Sequence, residues 1–182
     1  MTAYAQPMRW PRVIIGLGLA GGLAAWIYSR IRPAGLPDRP PGTTLTAEGW
    51  RDGRPFAVVL ESIGDGLYLQ PPAAAAWRRM ASAALADGVR LRPTSAFRTL
   101  AQQNWQVQER SRDIAAAPGR SPHQRGMAID IDVGAGNQLD RPGTGKAWEW
   151  LVANAPSFGF RRHAREAWHY DWIGVGVGPA VA

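Results

Sequence analysis

The stretch SPHQRGMAIDID, residues 121–132, sets His123 seven positions before Asp130 in a chain that has three histidines and no cysteine. Without thiolates, any metal has to be held by His, Asp or Glu. Hydrolytic zinc centres use three protein ligands and keep a fourth position open. His123, on a loop, and Asp130, on a strand, supply two such ligands, and the later segment EAWH supplies His169 as the natural third. Glu166, three residues before His169, is placed to act as a base toward an attacking water. Each residue also has an ordinary reading. A lone histidine is more often a plain polar side chain, which is how His163 in FRRHARE reads. A strand carboxylate such as Asp132 is usually solvated. No H-E-x-x-H helix is present to strengthen the metal reading.

The elements that position these groups follow from periodicity. GMAIDIDVG is the best strand pattern: Met127, Ile129, Ile131 and Val133 alternate toward a core, with Ala128, Asp130 and Asp132 on the other face. RPFAVVLESI and VRLRPTSAF also read as strands, and EAWHYDWIGVG as an aromatic-rich closing strand. Regular parity would put Glu166 and His169 on opposite faces, so Glu166 has to lie in the turn before that strand, or at a bulge, if both face one metal. Pro71 and Pro72 open a helix carrying Trp77, Met80, Ala81, Ala84 and Leu85 at helical spacing, and Gly88 stops it. Thr99 and Gln102 form a capping box for a helix running to about Arg112. A further short helix places Trp148, Leu151, Val152 and Ala155 on one stripe. Strands and helices do not alternate strictly, so the expected class is α+β with a mainly antiparallel sheet flanked by helices.

The totals bound the partners. Net charge is +7, from 21 basic and 14 acidic residues; setting aside Arg9, Arg12, Arg30 and Arg32 leaves +3. No basic stripe with interleaved aromatics appears, so nucleic acid is not expected as a partner, and no protein partner is predicted. Residues 13–29 carry no charge, and Arg9 and Arg12 precede them. As a helix the run would be about 25 Å long, slightly short of a bilayer core of about 30 Å. Residues 1–32 therefore read as an N-terminal signal anchor or signal peptide. The G-x-G-x-x-G formed by Gly16, Gly18 and Gly21 lies inside this run and follows no strand, which rules out a dinucleotide reading. Residues 33–45, with Pro33, Pro37, Pro40 and Pro41, read as a semi-rigid linker, and residues 46–182 as the folded domain.

SPHQRGMAIDID matches an S-x-H-x-x-G-x-A-x-D pattern, EAWHY an E-x-W-H pattern, and SAFRT an S-x-[YF]-R-[ST] segment. Together they resemble the VanY-type zinc D-alanyl-D-alanine carboxypeptidases of peptidase family M15, whose hedgehog/DD-peptidase fold is shared with VanX dipeptidases, the zinc domain of hedgehog proteins and some phage endolysins. The resemblance covers about residues 47–175. It implies one zinc ion per chain on His123, Asp130 and His169, Glu166 as catalytic base, Arg98 in catalysis and substrate binding, and Ser121 and Gln103 as substrate contacts. It implies peptidoglycan stem peptides as substrate, with removal of the C-terminal D-Ala. The alternatives are a wall-lytic L-Ala-D-Glu endopeptidase and a non-catalytic hedgehog-like zinc module; retention of Glu166 with all three ligands speaks against the latter. Such a substrate sets the expected location: the cell envelope, anchored in the inner membrane with the catalytic domain on its outer side, or secreted if the signal is cleaved.

Overall fold

The computed structural model describes residues 33–110, 115–136 and 138–174. The N-terminal run, residues 1–32, lies outside them. Two Asp-Gly pairs set up the first sheet. Asp52 and Gly53 both have positive φ, 52° and 77°, as do Asp65 and Gly66, 55° and 67°. Backbone of this kind matches the right-handed twist of paired strands and closes tight hairpins. The result is an antiparallel meander of β1 (Thr44–Arg51), β2 (Arg54–Gly64) and β3 (Leu67–Leu69). β1 is absent from the sequence-based reading, although the Asp52-Gly53 signal was there to find it.

The segment read as a linker is fastened to this sheet. Tyr68 donates its hydroxyl to the Pro37 carbonyl (2.6 Å), Ser62 Oγ donates to the Arg39 carbonyl (2.7 Å), and the Gly66 amide donates to Asp38 Oδ1 (2.8 Å). Leu36 packs on the cluster of Val58, Leu60 and Tyr68. Residues 36–43 thus belong to the folded unit, whose first strand begins at Thr44.

α1 (Pro71–Ala86) starts with its two prolines in the first turn, where no amide partner is lost, and stops before Gly88, which has φ 74°. It buries Ala73, Ala76, Trp77, Met80 and Ala84, whereas Leu85, expected on that stripe, is 59% exposed. The stripe is centred about a quarter turn away from Leu85, along the small alanines that let the helix approach β2 and β3. α2 (Leu100–Arg110) begins with the expected capping box: the Thr99 amide donates to Gln102 Oε1 (2.9 Å) and the Gln102 amide to Thr99 Oγ1 (3.2 Å). α3 (Gly145–Asn154) buries Trp150 and Leu151, while Val152 is 55% exposed. Trp150 takes the inward position because its indole N–H donates to Asp87 Oδ2 (2.7 Å) at the end of α1, while its ring stacks on Phe158.

The second sheet has the order β4-β5-β7-β6, all neighbours antiparallel: β4 (Pro93–Ser95), β5 (Ala128–Ile131), β6 (Phe160–Arg162) and β7 (His169–Trp172). The fold is α+β, as expected. The strands are shorter than the hydrophobic patterns suggested, and β6 is a strand the patterns did not show. Ile129, Ile131 and Val133 enter the main core with Trp77, Met80, Leu151 and Phe160. Each such fully buried side chain contributes about 1.5–3 kcal/mol. Met127, expected with them, is only partly buried, and Asp132 is exposed.

Before β5 runs a single 3-10 turn, Pro122–Arg125, with Pro122 at its first position and Gly126 closing it at φ 68°. The Gly126 amide donates to the His123 carbonyl (3.1 Å), and its own carbonyl accepts from the Gln70 amide (2.9 Å). A Cβ here would lie 2.7 Å from Leu60 Cδ2 and 3.1 Å from Gln70 N. The glycine three residues after His123 is therefore required by both backbone and space. Gly126→Ala should lose at least about 1–2 kcal/mol, the cost of left-handed backbone for an L-residue, before the clash is counted. Urea unfolding should show this as a lower midpoint; an unchanged midpoint would refute the reading of Gly126.

Candidate metal centre

Antiparallel pairing places two of the candidate ligands face to face. Asp130 on β5 and His169 on β7 are register partners. His123, on the 3-10 turn just before β5, folds over them. His123 Nε2 lies 3.2 Å from Asp130 Oδ1 and 3.1 Å from His169 Nδ1, and His169 Nδ1 lies 3.0 Å from Asp130 Oδ1. All three residues are buried. Among the described residues they form a His/Asp cluster able to hold a metal ion.

The partners of the outer atoms decide what the inner atoms can do. His123 Nδ1 sits 2.6 Å from the Ala96 carbonyl, so it carries the proton and donates, which leaves Nε2 as a bare lone pair. His169 Nε2 sits 3.1 Å from Asp171 Oδ1 and donates in the same way, which leaves Nδ1 bare. Asp130 Oδ2 accepts from Arg98 Nη2 (3.3 Å), and Oδ1 points into the cluster. Three lone pairs thus converge with no donor among them. That donor set of two imidazole nitrogens and one carboxylate oxygen fits a zinc ion. In its absence a proton is the next best cation. Burial works against charge on His169, but hydrogen bonds to Asp130 and Asp171 outweigh it and raise its pKa to about 10. Burial dominates at His123 and pushes its pKa down. Burial would also raise Asp130, yet the adjoining His123 and His169 hold its carboxyl well below the usual carboxylate range.

Glu166 lies in the turn before β7, where its carbonyl accepts from the His169 amide (3.2 Å). It is outside the strand, so the parity conflict does not arise. Its carboxyl lines the same cleft as the three ligands. Burial raises its pKa, against the pull of His169 and His163, which suits a base that has to accept a proton and release it. Arg98, between β4 and α2, donates through Nη1 to Gln103 Oε1 (2.9 Å) and through Nη2 to Ser95 Oγ (3.2 Å) as well as to Asp130. Gln103 is 0% exposed and passes its own amide proton to the Ala116 carbonyl (2.7 Å). Ser121 caps the 3-10 turn through its carbonyl and is buried against the cleft.

All seven site residues named from the sequence therefore border one cleft of about 190 Å³. Trp168 is buried in the core with one side on that cleft. Tyr170 belongs to the core alone, where burial raises its phenol to about 12. Asp132 is exposed, pairs with Arg92 at 3.5 Å, and stands apart from the cleft. Two titratable cleft residues went unrecognised in the sequence. His163, read as a plain polar side chain, has Nδ1 3.7 Å from Glu166 Oε1. Asp171 shares a strand face with His169, a spacing of two that could have flagged it.

A family model described as VanY, D-alanyl-D-alanine carboxypeptidase, matches residues 66–175, well over half of the 182-residue chain. The chain belongs to the VanY family. It is 26% identical over 152 residues to the D-alanyl-D-alanine carboxypeptidase of Enterococcus faecalis, a match covering 66% of this chain and 54% of that protein. It is 27% identical over 128 residues to YodJ of Bacillus subtilis, covering 59% and 47%. The chain spans about half the length of these curated relatives. Among solved structures it is similar to a mutant of the vancomycin-resistance D,D-pentapeptidase VanY, from a VanB-type cassette, in complex with Zn(II). That likeness has a TM-score of 0.56 and 26% identity, over 65% of this chain and 80% of the other.

The centre should hold one zinc ion per chain. Metal analysis of purified protein should find it, and His123→Ala should lose most of it, because two of three ligands seldom retain a hydrolytic zinc. Full zinc content in that variant would refute the ligand set.

Proposed function

We propose that this VanY-family chain is a zinc peptidase acting on peptidoglycan stem peptides, with removal of the C-terminal D-Ala as its reaction. The observation that carries the reading is a half-buried carboxyl, Glu166, on the same cleft as three converging metal-ligand lone pairs. The match to the VanY family model and the zinc-bound solved relative support it. His123, Asp130 and His169 would hold the zinc, which supplies a Lewis acid that polarises a carbonyl and acidifies water. Glu166 takes one proton from the attacking water as the new C–O bond forms. It then delivers that proton to the nitrogen as the C–N bond breaks, so the products are a shortened peptide acid and a free D-Ala amine. Arg98 offers a planar cation to the substrate's terminal carboxylate. Gln103 holds that guanidinium in place, and Ser121 is positioned to hydrogen-bond the peptide beside it.

We further propose that residues 1–32 anchor or export the domain, which places the active site on the outer side of the cytoplasmic membrane, where the wall lies. The support is the uncharged run 13–29 preceded by Arg9 and Arg12. Among the described residues no helix is long and apolar enough to cross a membrane. A reporter fused after Ala182 that works only when exported should be active; activity of a cytoplasm-only reporter, without membrane association, would overturn the assignment.

Two measurements test the chemistry. Glu166→Gln keeps the shape but cannot accept the proton at neutral pH. It should keep zinc and fold while turnover falls by about 10²–10⁴. Turnover equal to wild type would mean a different base. The second measurement asks which end of the peptide is read. Amidating the terminal D-Ala removes the charge-assisted hydrogen bonds between the substrate carboxylate and Arg98, at a cost on the order of 2 kcal/mol or more, so cleavage of the amidated peptide should fall at least about 30-fold. Equal cleavage of amidated and free peptides would replace the carboxypeptidase reading with that of an L-Ala-D-Glu endopeptidase.

A further inference from the structure

We propose that Asp171 is a positioning residue of the metal centre, one that selects the ring tautomer in which His169 can bind metal through Nδ1. The inference rests on the metal-centre reading above. β7 places His169 and Asp171 two residues apart, so both side chains leave the same face of the strand. Their register partners differ in kind. His169 stands opposite Asp130, a candidate ligand, while Asp171 stands opposite Ala128 on β5 and Arg161 on β6. The alanine offers no side-chain polar group, and Asp171 Oδ1 reaches back along its own strand to His169 Nε2 at 3.1 Å.

A neutral imidazole has one proton and two nitrogens to place it on. At His169 the choice is consequential, because Nδ1 also faces an acceptor, Asp130 Oδ1, at 3.0 Å. Left to that neighbour alone, the proton would settle on Nδ1, donate to Asp130, and block two ligand atoms at once. A carboxylate at Nε2 draws the proton to the far side of the ring. Nδ1 is then bare, and so is the inward lone pair of Asp130. Asp171 also fixes ring rotation. A half-turn about the Cβ–Cγ bond would break the bonds at both nitrogens together. His123 solves the same problem differently: its outer nitrogen donates to the backbone carbonyl of Ala96 at 2.6 Å, an acceptor that no side-chain replacement removes. The two histidines are therefore not equivalent. One is held by the main chain, whereas the other depends on a single side chain at the cleft wall.

Zinc affinity, measured by competition with a chromophoric chelator, tests this without reference to turnover. Asp171→Ala should bind zinc about 10–100-fold more weakly than wild type, the usual effect of removing an outer partner of a metal-bound histidine. Asp171→Asn, which keeps an acceptor oxygen but no charge, should fall between the two. Long-range proton–nitrogen NMR of the zinc-loaded wild type should show His169 protonated at Nε2. Wild-type affinity in Asp171→Ala would overturn the proposal. So would a His169 protonated at Nδ1, a result that needs no variant and stands even if Asp171→Ala fails to fold. Wild-type protein that takes up no zinc would overturn the metal-centre reading, and the proposal with it.

Discussion

Three ligand atoms brought to within 3.0–3.2 Å of one another, whose lone pairs only a cation can hold together, are the constraint on which the rest of this domain depends. Such a cluster repels itself unless a cation sits in it, and burial removes the water that would otherwise screen it. The fold holds it together by occupying the outer side of every member. A carbonyl just past β4 accepts a hydrogen bond from His123, a carboxylate on β7 accepts one from His169, and a guanidinium before α2 pairs with Asp130. Three separate stretches of chain thus converge on the centre from outside. Metal binding and folding are for that reason one thermodynamic problem: whatever cation the site takes up also stabilises the arrangement of strands around it.

Much of this was legible because its causes are local. The alternation through Met127–Val133 shows which face of the strand holds Asp130, although it overstates the strand's length and the burial of Met127. The capping box at Thr99 and Gln102 is a four-residue device, and it appears as expected. Gly126 could be placed in the motif but not explained, since its crowding by Leu60 and Gln70 comes from segments more than fifty residues away. The misassigned faces have the same origin. Leu85 and Val152 are apolar and suitably spaced, but alanines on α1 and the Trp150–Asp87 hydrogen bond rotate the two helices by a fraction of a turn. The proline-rich residues 33–41 look like a free linker until Tyr68 and Ser62 supply donors for the carbonyls of Pro37 and Arg39. Composition carries no sign of those partners. His163 escaped notice because nothing in its own neighbourhood shows that the chain after β6 will return to the cleft, whereas Asp171, two residues after His169 on β7, carried a local signal that went unused.

Arg98 joins the metal centre to the proposed substrate site. Its Nη2 faces Asp130 and Ser95, and its Nη1 faces Gln103, which is itself fully buried and tied to the Ala116 carbonyl. A guanidinium held on several sides gives up little conformational freedom when a ligand arrives, and so presents its charge at low entropic cost. Placement beside Asp130 has a second effect. The same cation that would meet a substrate carboxylate also withdraws charge from a metal-ligating carboxylate. A substrate carboxylate that drew on Arg98 would leave more negative charge on Asp130. Arg98 would thus be shared between the proposed substrate site and the carboxylate of the metal centre. Lysine could not replace it, because an ammonium on a flexible stem lacks the planar fork that reaches Asp130, Ser95 and Gln103 together.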